Sequence, residues 1–162
     1  RDELTGLLNR RELQNLLQNE WWRSVRFKRP FAVGMADIDY FKRVNDRYGH
    51  LVGDRVIRHV GRVLETTLRR LDRVARFGGE EFAILMPGSG VNNALLVAER
   101  IRARVEQASR EAGPLPAHMR ITVSLGLATL ASDASPQELI ARADRALYRA
   151  KAEGKNCVRV ES

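Results

Sequence analysis

Residues 76–82 read RFGGEEF, and the fold turns on this stretch. Residues 73–86 form two apolar, strand-like runs with Gly78-Gly79 between them. That pattern predicts a β-hairpin, because adjacent glycines reach the positive φ of a tight bend without steric cost. Glu80 and Glu81 follow at once, and a hairpin does not require two neighbouring like charges. They ask for a positive partner.

An acidic strand end upstream offers company. Residues 31–39, FAVGMADID, run apolar and then end in acid, the pattern of a buried strand in a layered α/β domain. Asp37 and Asp39 are two apart, so both point to one face if the strand extends that far. If this strand neighbours the hairpin, Asp37 converges on Glu80 and Glu81. Converging carboxylates repel, and a divalent cation relieves them. Hard oxygen donors favour Mg²⁺ or Mn²⁺ over zinc, in a site that substrate phosphates complete. Separate solvated charges or helix caps are the plainer reading of the spacing alone.

Helix and strand patterns alternate along the rest of the chain. Residues 10–28 read as an amphipathic helix with Leu13, Leu16, Leu17 and Val25 on one side and one of Trp21 and Trp22 inward. Residues 40–48 form a short helix closed by Gly49. Further helices span 52–68, 92–112 and 135–153, with a chain break at 113–116. Strands fall at 121–130 and 157–160. Ser135, Pro136 and Glu138 supply the N-cap, the N1 proline and the capping-box acid of the last helix.

Around the short helix, Lys42 is placed for a phosphate. Asn45 and Asp54 present an amide and a carboxylate that suit the Watson–Crick edge of guanine, although both types also cap helices.

The 162 residues fit one domain, and 44% hydrophobic with 30% charged residues is a globular composition rather than a disordered one. No run approaches a membrane span. One cysteine, Cys157, excludes an internal disulfide. The formal charge of +8 suits an anionic partner, but the basic residues are spread over several helices with few aromatics between them.

Together these segments resemble the GGDEF family, the diguanylate cyclase catalytic domains. DELTGLLNRR (2–11) is similar to the opening DxLTGLxNR, and residues 36–54 to DxDxFKxxND…GHxxGD. RFGGEEF carries the signature in its GGEEF form. VSLGLA (123–128) and ADRALYRAKAEGKN (143–156) are similar to the two closing motifs.

The resemblance implies an α/β (α+β) fold, a central mixed sheet wrapped by helices as in polymerase palms and nucleotidyl cyclases, with the signature on a hairpin. It implies that two GTP give cyclic di-GMP and two pyrophosphates. Asp37, the Ile38 carbonyl, Glu80 and Glu81 would hold Mg²⁺ or Mn²⁺. Glu80 is also the candidate for taking the 3′-hydroxyl proton, although the ligand role weighs more. Gly78 and Gly79 leave room for the nucleotide. Asn45 and Asp54 would read guanine with His50 nearby, and Lys42, Lys151 and Lys155 would meet phosphates. The family often has arginine at position 155, so a forked grip becomes a point charge.

Arg69 and Asp72 form an RxxD nine positions before Gly78, which resembles the family's inhibitory product site, with Arg100 as a further arginine. There, the guanidinium would meet phosphate and the purine edge, and the carboxylate would meet guanine N–H groups.

The expected whole is a single catalytic domain (1–162), the C-terminal part of a longer regulated protein, cytoplasmic and active as a homodimer. No nucleic-acid partner and no direct membrane contact are expected, whether or not the full protein is tethered. A catalytically silent module binding GTP or cyclic di-GMP is the alternative.

Overall fold

The computed structural model describes residues 1–111 and 115–161. Five helices and five strands follow in the order α1 (Arg10–Phe27), β1 (Phe31–Ile38), α2 (Phe41–Tyr48), α3 (His50–Thr67), β2 (Arg73–Gly78), β3 (Glu81–Pro87), α4 (Val91–Arg110), β4 (Val123–Thr129), α5 (Pro136–Ala152) and β5 (Val158–Glu161). The sheet order is β2-β3-β1-β4-β5. Only the β4–β5 pair is parallel, so the sheet is mixed, as expected.

Strand alternation sorts side chains into two cores. Ala32, Ala36 and Ile38 of β1 face α3 and α4. Phe31, Val33 and Met35 face α1 and α5. By the same period of two, Asp37 falls on the α1/α5 side. β1 is buried on both faces because helices cover both, which explains its continuous apolar run.

The hairpin pairs β2 with β3 around Gly78 and Gly79, with Gly79 at φ +41 and a register shift between Arg76 and Gly78. Leu8 bridges to Ala75 and tethers the N-terminal segment beside the hairpin. α1 opens on a full capping box between Asn9 and Glu12.

Some boundaries differ from the sequence reading. α3 begins at His50 rather than at 52, because Gly49 ends α2 and starts α3 without a linker. Val25 is exposed, and α1 instead buries Leu13, Leu17, Trp21 and Ser24. Trp21 packs inward and Trp22 stands out. β4 starts at Val123 rather than at 121. α4 ends at Arg110, with Glu111 as its C-cap, rather than at 112; of the chain break expected at 113–116, residues 113 and 114 lie outside the described residues.

Candidate active site

The β1–β3 register sets Asp37 directly opposite Glu81. Residues opposite one another on paired strands share a face, so these carboxylates are neighbours. Glu80 joins them through the backbone, its carbonyl accepting the Ile38 N–H at 3.3 Å. The proximity of Asp37 to the signature acids follows from sheet order.

The electrostatics record the crowding. Burial pushes the Asp37 carboxyl above its usual range, and Glu80 and Asp39 add to the effect against the pull of Lys151. Burial likewise raises Glu81, reinforced by Asp37, Asp144 and Glu80. Lys151, on the last turn of α5, answers part of this charge. Its Nζ donates to Asp37 at 2.7 Å and to Asp39 at 2.9 Å. Burial alone would lower the Lys151 pKa, but those two carboxylates outweigh it and raise it.

Asp39 is the residue that sequence reasoning undervalued. Its side chain is fully enclosed. It accepts from the Thr122 hydroxyl at 2.8 Å, the Ser124 hydroxyl at 2.7 Å, the Asn156 N–H at 2.9 Å and Lys151. Burial alone would raise its carboxyl; the bonds from Ser124, Lys151 and Thr122 outweigh that and hold it low. Asp39 thus joins β1, β4 and the loop bearing Lys155, and fixes Lys151 beside Asp37. The two-residue spacing was the only trace of this in the sequence.

The donor set suits a hard divalent cation: carboxylates that raise one another, beside backbone oxygen. Among the described residues no three Asp, Glu, His or Cys side chains form a ready cage. That matches an ion held by few protein carboxylates and completed by phosphate oxygens.

Asn45 and Asp54 lie on adjoining helices. The Asn45 Oδ1 is buried without a hydrogen-bond partner among the described residues. It lies 2.0 Å from where a Cβ on Gly53 would be, so Gly53 makes the space for this amide. His50 is exposed on the first turn of α3, one turn before half-buried Asp54. Lys42 stands in solvent, 3.9 Å from Asp46. Lys155, at φ +65, places its Nζ 5.3 Å from the Tyr40 ring centroid. A Cβ on Gly78 or Gly79 would meet nothing within 4 Å, so the bend opens onto free space.

Arg76 braces that bend. Its Nε donates to the Gly79 carbonyl at 2.9 Å and its Nη1 to Asp2 at 3.3 Å. Asp2 is itself held by the Thr5 N–H and hydroxyl. The opening motif therefore buttresses the signature, a link between residues 74 positions apart.

At the other end of β3, Arg69 donates to Asp72 through Nε at 3.2 Å and Nη2 at 3.0 Å, and to Ser89 at 2.5 Å. The Asp72 side chain is fully enclosed and also accepts the Arg69 backbone N–H. Three bonds from Arg69 reach Asp72, two at Oδ2 and one at Oδ1, so this carboxylate aims the guanidinium. Arg100 is exposed on α4, and no hydrogen bond or ion pair joins it to Arg69 or Asp72 among the described residues.

Comparison with known proteins bears on what this arrangement serves. A family model described as "Diguanylate cyclase, GGDEF domain" matches residues 1–157. Response regulator PleD of Caulobacter vibrioides is 37% identical over 158 residues, 97% of this chain and 35% of that protein. Diguanylate cyclase DgcM of Escherichia coli is 40% identical over 157 residues, 97% of this chain and 37% of that protein. The chain thus spans about a third of the length of these curated relatives. The crystal structure of the GGDEF domain of DgcB from Caulobacter crescentus, in complex with c-di-GMP, superposes with a TM-score of 0.92 at 33% identity, covering 99% of this chain and 94% of that one.

Proposed function

Because this chain belongs to the GGDEF family of diguanylate cyclase domains, we propose that it condenses two GTP into cyclic di-GMP with release of two pyrophosphates. The observation that carries the reading is Asp37 set opposite Glu81, with Glu80 bonded to the Ile38 backbone.

Asp37, the Ile38 carbonyl, Glu80 and Glu81 are the oxygens that would hold Mg²⁺ or Mn²⁺ with the triphosphate. A bound divalent cation supplies Lewis-acid neutralisation of phosphate charge. Lys151, anchored by Asp39, and Lys155 deliver positive charge to the phosphates from the α5 side. Lys42 swings to them from the surface. The unsatisfied Asn45 oxygen is a ready acceptor for a guanine N–H, and Asp54 takes the neighbouring N–H groups, with His50 at the rim. Glu80 stands at the hairpin to accept the 3′-hydroxyl proton. Gly78 and Gly79 let the nucleotide approach the backbone.

The product is two-fold symmetric, and one domain offers one such site. Two domains must therefore face each other, each 3′-hydroxyl attacking the other's α-phosphate. Arg69, aimed by Asp72 and Ser89, binds the product as an inhibitor with help from Arg100.

The deciding experiment is GTP with Mg²⁺ and product analysis, on the domain fused to a dimerising segment. Cyclic di-GMP is expected, and Glu80→Ala should abolish it without unfolding the domain. Absence of product from a folded, dimeric sample would replace this reading with a silent binding module.

A further inference from the structure

The turn between α5 and β5 carries Lys155 on an uncommon backbone. Gly154, Lys155 and Asn156 have φ of +123, +65 and +46, and two of the three are not glycine. Such a run persists only where its surroundings over-determine it. Two backbone bonds contribute: the Lys155 N–H donates to the Ala150 carbonyl at 3.0 Å, and the Asn156 N–H donates to Asp39 at 2.9 Å. The Lys155 ammonium itself has no hydrogen bond or ion pair among the described residues and stands 5.3 Å from the Tyr40 ring centroid.

A third hold comes from α4, which covers the opposite face of the sheet from α5. Arg102 Nη1 donates to the Asn156 Oδ1 at 2.9 Å, and the Asn156 Nδ2 donates to Glu106 at 3.2 Å. One turn apart on α4, Arg102 and Glu106 thus close on both ends of a single amide. Each is itself kept in place. Arg102 also donates to Glu99 at 2.7 Å, and Glu106 accepts from Arg120 Nε at 3.0 Å and pairs with Arg110 at 3.6 Å. Both side chains are only 20% exposed.

An asparagine needs no such grip to be left-handed, because it visits that region more readily than most residues. What the grip adds is a fixed place for the turn relative to α4. We propose that, with Lys155 meeting the phosphates as in the proposed function, Arg102 and Glu106 are positioning residues for GTP: through the Asn156 side chain they hold the turn so that Lys155 presents its ammonium to the triphosphate. A long side chain on a loose turn must be ordered by the ligand, whereas one on a clamped turn is partly ordered in advance. A lysine offers a point charge and no fork, so its aim has to come from the backbone that carries it.

The test is calorimetric titration of the domain, fused to a dimerising segment, with a non-hydrolysable GTP analogue and Mg²⁺, alongside thermal melting. Asn156→Gly deletes the grip alone, since glycine takes φ +46 without strain and keeps the N–H to Asp39. Kd should rise about fivefold, the order of what immobilising one long side chain costs. Glu106→Ala should do the same. Glu106→Gln keeps an oxygen for the Asn156 amide, so Kd should stay within about twofold of wild type even as the melting midpoint falls with the lost arginine pairs. In a Lys155→Gln background, Asn156→Gly should add nothing.

A lowered midpoint with wild-type Kd in both Asn156→Gly and Glu106→Ala overturns the proposal, because that is a structural brace only. So does a full further loss on top of Lys155→Gln, which routes the effect past Lys155. A wild-type domain that does not bind the analogue overturns it too. Cyclic di-GMP formation from GTP is read separately on the wild type, so a failure of the cyclase reading shows there and not in these affinities.

Discussion

Gly126→Ala tests whether α5 lies on β4 as described. A Cβ at this position would sit 2.1 Å from the Leu147 nitrogen, 2.2 Å from the Ala143 carbonyl oxygen and 2.7 Å from the Leu147 Cα. All three are backbone atoms of α5, so no rotamer relieves the clash. Ordinary contact begins near 3.4 Å. The helix must retreat by about 1.3 Å, and Lys151 goes with it, stretching its 2.7 Å bond to Asp37 towards 4 Å. Overpacking against backbone belongs at the upper end of the usual range, about 3 kcal/mol. For a domain of this size that lowers the melting midpoint by about 10 °C. Misplacement of a phosphate-binding group by about 1 Å costs on the order of 100-fold in rate. The assay is thermal unfolding followed by circular dichroism, with GTP turnover measured well below the midpoint. Gly34→Ala is the control: its Cβ meets the Leu127 Cδ2 at 3.2 Å, the tip of a side chain that can yield. An alanine at 126 that keeps both the wild-type midpoint and the wild-type turnover would refute this packing of α5.

Three further outcomes are expected. Gly53→Ala drives a methyl into the Asn45 Oδ1; losing one hydrogen bond to guanine should raise the KM for GTP about tenfold and narrow the preference over ATP, and unchanged discrimination in steady-state kinetics would detach Asn45 from base reading. Arg69→Ala should leave initial turnover intact and abolish inhibition by added cyclic di-GMP, whereas inhibition at the wild-type level would reduce the Arg69–Asp72 pair to a structural turn. Glu81→Gln should end turnover and yet raise the melting midpoint at neutral pH. The Glu81 pKa is raised on folding, so its favourable contribution is present only below the unfolded carboxylate range and is lost as pH rises through the folded value. The neutral glutamine escapes that loss, and its advantage should vanish near pH 4; an advantage independent of pH would remove the electrostatic explanation.

The local features were legible because their physics is local. The glycine bend, the apolar run of β1 and the Ser135 N-cap of α5 are each specified within a few residues, although the Glu138 carboxylate accepts from the Ala134 N–H instead of closing a capping box on Ser135. The onset of α3 was misplaced because Gly49 serves two helices, and no polar linker marks the boundary. What could not be read are bonds across long separations. Asp39 meets Thr122 and Ser124 from 83 and 85 positions away, and Lys151 from 112. Nothing around DID announces hydroxyl partners on another strand. The enclosure of Asp72 was hidden for a related reason. RxxD shows an acid and an arginine in sequence, but only the folded turn shows that the acid is enclosed and aimed at the arginine.

The ammonium of Lys151 between Asp37 and Asp39 has a consequence for how the domain waits. Part of the carboxylate charge at the end of β1 is answered from within the chain. The idle domain therefore needs no ion to stand up, unlike a zinc finger, whose fold exists only with its metal. On the proposed function, a chelator is expected to stop turnover while leaving the melting midpoint unchanged, and added divalent cation to restore turnover with GTP.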